Sequence, residues 1–173
     1  MLADRGLVER RPRRGYVVRQ LNLTDIHELY EIRLALETYI VGQVCKTGLD
    51  EAALDGLRRL WTQVRDALPD MVADPVRVDE NFHQTLAQAV GNRAMTDMLR
   101  DIGERIRFVR VYDITNPERL KATCVEHLEM IEAIGRRDAG QAVDALRRNI
   151  EGGRIKVENA IKEALANAHA IHG

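Results

Sequence analysis

Cysteine, aromatic residues and long apolar runs are all scarce in this chain of 173 residues. Its two cysteines, Cys45 and Cys124, are far apart and form no CxxC pair, so we expect neither a disulfide framework nor a thiolate zinc site, and a reducing cytoplasm is the expected location. Aromatic residues make up only 4%, so the core must be aliphatic, as helix bundles allow. No apolar run approaches the roughly 20 residues that span a bilayer, and no signal-peptide pattern opens the chain, so no membrane partner is expected.

Hydrophobic residues (45%) and charged residues (31%) occur in the proportions of a soluble globular domain of medium size. The net charge of −1 hides an asymmetry. Residues 1–20 contain six arginines and two acidic residues, which leaves 20 basic and 25 acidic residues for the remainder. A basic arm on an acidic body predicts that only the arm meets a polyanion.

The first 20 residues differ in pattern from the rest. Two short extended stretches, 6–10 and 15–18, flank the turn-like segment Arg11-Pro12-Arg13-Arg14. A β-hairpin with a basic tip and a flexible charged tail both explain this pattern.

After residue 21 the sequence predicts helix almost throughout. Cap-and-proline signals at Asp74-Pro75 and Asn116-Pro117, with Gly48 and Gly91 as terminators, divide the segment. Gly152-Gly153 is a candidate kink in the last helix. The predicted helices cover about residues 24–48, 50–67, 74–91, 92–113, 116–135 and 138–168. Six helices with short connections predict an all-α fold, an antiparallel bundle.

Four of these helices carry polar residues on their apolar stripes. Asp79 and His83 lie one turn apart among aliphatic residues, and His127 holds the same kind of position in the fifth helix. The first helix contributes Arg33 with Glu37, and the last contributes Asn149. Buried ionisable groups are usually paired, hydrogen-bonded or metal-bound, so the pattern predicts a shared internal cavity.

Carboxylate and imidazole ligands suit a divalent metal such as zinc, nickel or manganese, and the sequence does not choose among these ions. Asp79, His83 and His127 would bind it, with Asn149 as a weaker carbonyl ligand. A His–Asp hydrogen bond without metal explains the same spacing. Arg33 either pairs with Glu37 or receives a ligand carboxylate, and Arg105 and Tyr112 are weaker candidates of that kind.

Three stretches resemble the GntR superfamily of bacterial transcription regulators, in the FadR-like branch with an all-helical FCD effector domain. Residues 2–18 look like the end of a winged-helix DNA-binding domain, residues 25–37 like the first effector-domain helix, and residues 79–86 with Gly91-Asn92 like the metal-binding helix. His127 follows His83 at the family's usual interval. The family's third histidine would fall at position 149, where this chain has asparagine.

The resemblance implies two parts: residues 1–20 as the wing end of a winged-helix domain, and residues 21–173 as an effector-binding and dimerisation domain. The helix-turn-helix that would read the major groove lies outside these residues. Arg10, Arg11, Arg13 and Arg14 could contact phosphates as a wing does, but they would not specify the base sequence.

The function expected from the resemblance is that of a ligand-responsive DNA-binding transcription regulator. A homodimer would bind operator DNA through its full winged-helix domains, and a small carboxylate effector would bind beside the metal. The alternative from the residues is a helical-bundle metalloenzyme acting on a small organic acid. Glu80 and Glu126 adjoin the predicted ligands but should face away from the metal, because adjacent helical residues point about 100° apart. A third reading is a purely structural bundle.

Overall fold

Six α-helices make up most of the described chain. The computed structural model describes residues 8–11, 15–18, 23–68, 74–114 and 116–172. The helices in these residues are α1 (Leu23–Thr47), α2 (Glu51–Asp66), α3 (Pro75–Ala89), α4 (Arg93–Ile114), α5 (Pro117–Gly135) and α6 (Ala139–His172). The predicted all-α class is confirmed for the body of the protein.

Two four-residue strands precede the helices. β1 (Val8–Arg11) and β2 (Gly15–Val18) pair antiparallel, with Val8 opposite Val18. That they end a winged-helix domain stays a prediction. Arg10 and Arg11 lie in β1, but their side chains are outside the described part of the chain, and Arg13 and Arg14 lie outside the described residues altogether.

The helix ends follow the capping signals in the sequence. The side chains of Asp50, Asp74 and Asn116 each accept a hydrogen bond from the backbone N–H three residues on, at 3.0–3.2 Å. Gly48 and Gly91 have φ of 85° and 74°, the left-handed conformation that glycine adopts readily after a helix. α6 continues unbroken through the two glycines at 152 and 153, so they do not interrupt the helix.

α1 is the central helix of the bundle. It packs against α3, α4, α5 and α6, and α2 completes the bundle by packing against α5. The core is aliphatic apart from a few rings, of which Trp61 and Phe82 are fully buried. Polar residues on the inner face of α1 therefore reach several helices at once. None of the described helices is long and apolar enough to cross a membrane.

The cap of α5 supports the helix that carries His127. We expect Asn116→Ala to lower the free energy of unfolding by about 1 kcal/mol, because the N–H of Arg119 loses its acceptor. Urea unfolding followed by circular dichroism would measure this loss. Lys121→Ala, an exposed change in the same helix, should change stability by less than about 0.5 kcal/mol. Equal losses in both variants would contradict the capping role.

Candidate metal centre

Asp79, His83 and His127 converge in the interior of the bundle. Their ligand atoms all lie within 4.8 Å of one another, and no residue of the three is more than 2% exposed. The two Nε2 atoms are 3.4 Å apart, and each lies 3.6 Å from an oxygen of Asp79. Ligands held at 2.0–2.2 Å around a tetrahedral zinc are separated by about 3.4 Å, so the spacing fits one ion.

The tautomer of each histidine is fixed by the hydrogen bond that its Nδ1 donates. Nδ1 of His127 donates to the carbonyl oxygen of Thr123 at 2.9 Å, and Nδ1 of His83 donates to the carboxylate of Glu37. In the neutral rings, each Nε2 then carries a lone pair directed at the other. Two facing lone pairs beside a carboxylate form a set of acceptors that only a cation or a proton can satisfy.

Two arginines hold the carboxylates in place. Arg33 Nε donates to Glu37 Oε1 at 2.6 Å, so one carboxylate links Arg33 to His83. Arg110 on α4 donates to Asp79 Oδ2. The predicted Arg33–Glu37 pair is therefore present, and Arg33 also lines the two cavities described below.

Aromatic rings enclose the histidines. Trp61 stacks on His127 with ring centroids 4.1 Å apart and an interplanar angle of 14°, and Phe82 meets the same ring edge-on. Trp61 comes from α2, which contributes no ligand. These rings limit rotation of the His127 imidazole and shield it from solvent.

The pKa values of these groups depend on burial and on their partners. Burial lowers the pKa of His127 to about 3, so this ring stays neutral at pH 7. Burial alone would also lower the pKa of His83, but the Glu37 carboxylate outweighs it and the pKa is raised. Burial would raise the pKa values of Glu37 and Asp79. The charges of His83 and Arg33 instead lower the pKa of Glu37 to about 2, and those of Arg110 and His83 hold the pKa of Asp79 well below its usual value. One metal-free arrangement therefore has a proton on His83.

Asn149 reaches the same region but is already hydrogen-bonded. It lines an inner cavity of about 10 Å³ together with Asp79, Arg33 and Arg110. Its amide nitrogen donates to Glu126 Oε2 at 2.9 Å, and its backbone oxygen accepts from Arg119 at 2.7 Å. Its role as a metal ligand stays a prediction.

A larger cavity of about 330 Å³ opens on the other side of His83, between α3 and α4. It is within the size range of small-molecule sites. Arg33 and Arg110 line both cavities and so separate the inner cavity from the outer one. Glu80 lines the outer cavity and pairs with Arg107, whereas Glu126 pairs with Arg119.

Of the two other predicted effector residues, the structure locates the side chain of Arg105 alone. Arg105 is half-buried and lines neither of these two cavities, and the side chain of Tyr112 lies outside the described part of the chain. Arg110 was not predicted from the sequence. The sequence signal for its burial is its position on α4, four residues after Ile106. It therefore lies on the same face of the helix as the buried residues Ile102, Ile106, Val109 and Asp113.

Comparison with known proteins identifies the class to which this geometry belongs. The FCD domain family matches residues 28–152, and the chain belongs to this family. More particularly, its relatives are GntR-type helix-turn-helix regulators, as the sequence resemblance implied. The family consists of regulators of transcription, not of enzymes, which overturns the metalloenzyme alternative.

Among curated relatives, the chain is 26% identical over 140 residues to the uncharacterized regulator YdhC of Bacillus subtilis, matching 80% of this chain and 62% of YdhC. It is 27% identical over 147 residues to the transcriptional repressor RspR of Escherichia coli, matching 83% of this chain and 62% of RspR. The chain thus spans about three fifths of the length of these relatives.

Solved structures share the fold. E. coli McbR/YncC superposes with a TM-score of 0.80 at 16% identity, over 92% of this chain and 80% of that protein. The metal-free FCD domain of the regulator TM0439 gives 0.71 at 21% identity, over 84% of this chain and 99% of that domain. These likenesses establish the helical architecture around the site.

The buried neutral state of His127 gives the metal-free protein a characteristic pH dependence. Between pH 6.5 and 3 the unfolded chain binds a proton at this histidine and the folded chain does not, so its contribution to stability falls as pH falls. Relative to His127→Gln, the wild type should lose about 1 kcal/mol per pH unit below pH 6. Urea unfolding of protein treated with a chelator would measure this difference.

A comparison of variants is needed because burial raises the pKa of Asp113 to about 6, which contributes in the opposite direction below that pH. His27→Gln, which makes the same change at a partly exposed position, is the matched control. A difference between wild type and His127→Gln that is flat with pH would show that His127 does not stay neutral in the folded protein.

Proposed function

We propose that this chain is the sensing part of a transcription regulator, in which a small carboxylate effector binds beside a divalent metal held by Asp79, His83 and His127. The observation that carries the proposal is the convergence of two oriented imidazole lone pairs and one carboxylate in the buried interior of the bundle. Residues of this chemistry fit zinc, nickel or manganese. When bound, the ion would supply two positive charges and an open coordination position.

The balance of buried charge explains why the effector should be an anion. Three arginines and three carboxylates face one another in this core, and the two histidines are neutral when they act as ligands. Arg33, Arg110, Arg119, Glu37, Asp79 and Asp113 are all at least nine-tenths buried. Within this set the charges cancel, and the Glu126 carboxylate beside Arg119 adds one negative charge. A bound dication would therefore still leave a positive excess in this buried region, which a carboxylate effector would neutralise.

Arg33 and Arg110 are placed to receive the carboxylate. Each lines both cavities, and His83 also lines the outer one, so an acid in the outer cavity would contact these guanidinium groups beside a predicted metal ligand. Planar guanidinium groups bind carboxylates through paired hydrogen bonds. Arg105 and Tyr112 would then act at most at the margin of the site.

The signal would pass to DNA through the rest of the regulator, in the cytoplasm. We propose a homodimer whose winged-helix domains, with Arg10, Arg11, Arg13 and Arg14 on the wing, contact operator phosphates. Residues 1–20 would be the end of that domain and residues 21–173 the effector domain. An effector changes operator affinity only if it binds one arrangement of the dimer more tightly than the other.

Glu37 offers a test of the metal site that leaves all the ligands in place. We expect Glu37→Gln to weaken zinc binding by about 10- to 100-fold, because the amide no longer fixes the tautomer of His83 as the carboxylate does. Competition with a chromophoric chelator would measure the affinity. Glu28→Gln, an exposed change on α1, is the control. Equal zinc affinity in wild type, Glu37→Gln and His83→Ala would show that these residues hold no metal.

Effector binding is tested by the melting temperature of the zinc-loaded chain with millimolar lactate, malate, propionate or succinate. A saturating acid should raise the melting temperature by roughly 5 °C or more. Arg33→Lys, which keeps the charge but loses the planar fork, should weaken the bound acid about tenfold. Arg105→Lys should not. No shift with any acid would count against the sensor function, and a loss confined to Arg105→Lys would move the effector site to that residue.

A further inference from the structure

The inner cavity is bordered by polar atoms that the metal site does not use. Tyr30 Oη is buried and has no hydrogen-bond partner within the described residues. Asp113 Oδ1 and Arg119 Nε are buried as well and form an ion pair at 3.4 Å, but neither has a hydrogen bond there. The three side chains line the same cavity of about 10 Å³, next to Asp79 and Asn149. They come from α1, α4 and α5, and residues of α3 and α6 complete the lining, so the cavity lies where five helices meet. Buried polar atoms without partners are rare in folded proteins and call for an explanation.

The orientation of these groups is built into the packing. Arg119 uses one terminal nitrogen on Glu126 and the other on the backbone oxygen of Asn149, which leaves Nε near Asp113 Oδ1 at 3.4 Å without a hydrogen bond. On the opposite wall, Gly153 of α6 makes room for Asp113. A Cβ atom at position 153 would lie 2.9 Å from Asp113 Oδ2.

The cavity suits a small group that both donates and accepts hydrogen bonds. Its volume is about that of a single water molecule, so a second carboxylate would not fit without displacing side chains. Arg119 Nε and the Tyr30 hydroxyl offer donors, whereas the Asp113 carboxylate accepts only. A methyl group would leave all three atoms unsatisfied, and a second anion would be repelled by Asp113. A hydroxyl group both donates and accepts and has the right size, and on effector binding it would take the space that fits one water molecule.

We infer that this cavity is a hydroxyl-binding subsite, and that the effector is a hydroxycarboxylic acid whose hydroxyl group contacts Asp113, Tyr30 and Arg119. The inference rests on the proposed function, since the carboxylate of the same acid is the group assigned to the metal and the arginines. Asp113 and Tyr30 then set specificity, and Arg33 and Arg110 provide charge recognition.

Matched acids that differ by one hydroxyl group test the subsite. The probes are lactate with propionate, malate with succinate, and 3-hydroxybutyrate with butyrate, each titrated into the zinc-loaded chain by calorimetry. A hydrogen bond to a charged group is worth enough to give at least about a tenfold preference for a hydroxy acid in one or more pairs. Equal affinity within every pair would overturn the subsite while leaving the sensor function standing. No binding by any acid would overturn the sensor function itself.

Variants separate this subsite from chelation, since an α-hydroxyl group can also bind the metal. Gly153→Ala should reduce the hydroxyl preference about tenfold, because the new methyl group displaces the Asp113 carboxylate. Gly152→Ala is the matched control: it makes the same change one residue earlier in α6, and its Cβ would have ordinary contacts of 3.6 Å and more with Arg119.

Tyr30→Phe provides a second test of the hydroxyl preference that does not depend on a change in α6. It removes one unpartnered hydroxyl group, so the fold should persist while the hydroxyl preference declines. A preference that is unchanged in both Gly153→Ala and Tyr30→Phe would place the ligand hydroxyl on the metal and overturn the inference. A loss in Gly153→Ala and Tyr30→Phe, with Gly152→Ala like the wild type, is the expected result.

Discussion

The Glu37 carboxylate, shared between Arg33 and His83, is the contact on which the rest of the site depends. One oxygen accepts from Arg33 at 2.6 Å and the other accepts from Nδ1 of His83. This bond fixes which nitrogen of His83 faces the centre, and the residual negative charge decides whether that histidine holds a proton when no metal is present. Because Glu37 lies on α1, the central helix, the same contact joins α1 to α3 and sets the position of the candidate metal ligands.

Burial of so many charges is tolerable only because they are paired. An isolated ion in such a core would cost several kcal/mol, and removing one partner of a buried pair typically costs 3–5 kcal/mol. Arg110 with Asp79 and Arg119 with Asp113 and Glu126 repeat the arrangement of Arg33 with Glu37. A bundle that only needed stability would be at least as well served by apolar residues of similar volume. The retained charges therefore favour a binding role over a structural one.

The sequence predicted the helices well because their ends carry local signals. Asp74-Pro75 and Asn116-Pro117 act within one turn of chain, and the observed helices begin at those prolines. Asp79 and His83 were predictable for the same reason, since both lie on one stripe. Arg110 was not identified, because its partner Asp79 is 31 residues away and a stripe does not reveal which helices face each other. The stacking of Trp61 on His127 likewise depends on how α2 packs on α5.

Asn149 stands where the sequence resemblance implies a histidine, and it keeps this part of the site polar. Asparagine keeps a neutral polar group beside the ligands, but its amide nitrogen is committed to Glu126, and Glu126 in turn binds Arg119. The amide is thereby joined to the guanidinium that borders the inner cavity. An imidazole at this place, which the sequence resemblance implies for the family, would offer a nitrogen ligand. In this chain Asn149 also helps to orient Arg119, so the inner cavity is shaped by hydrogen-bonding groups, as recognition of a polar ligand requires.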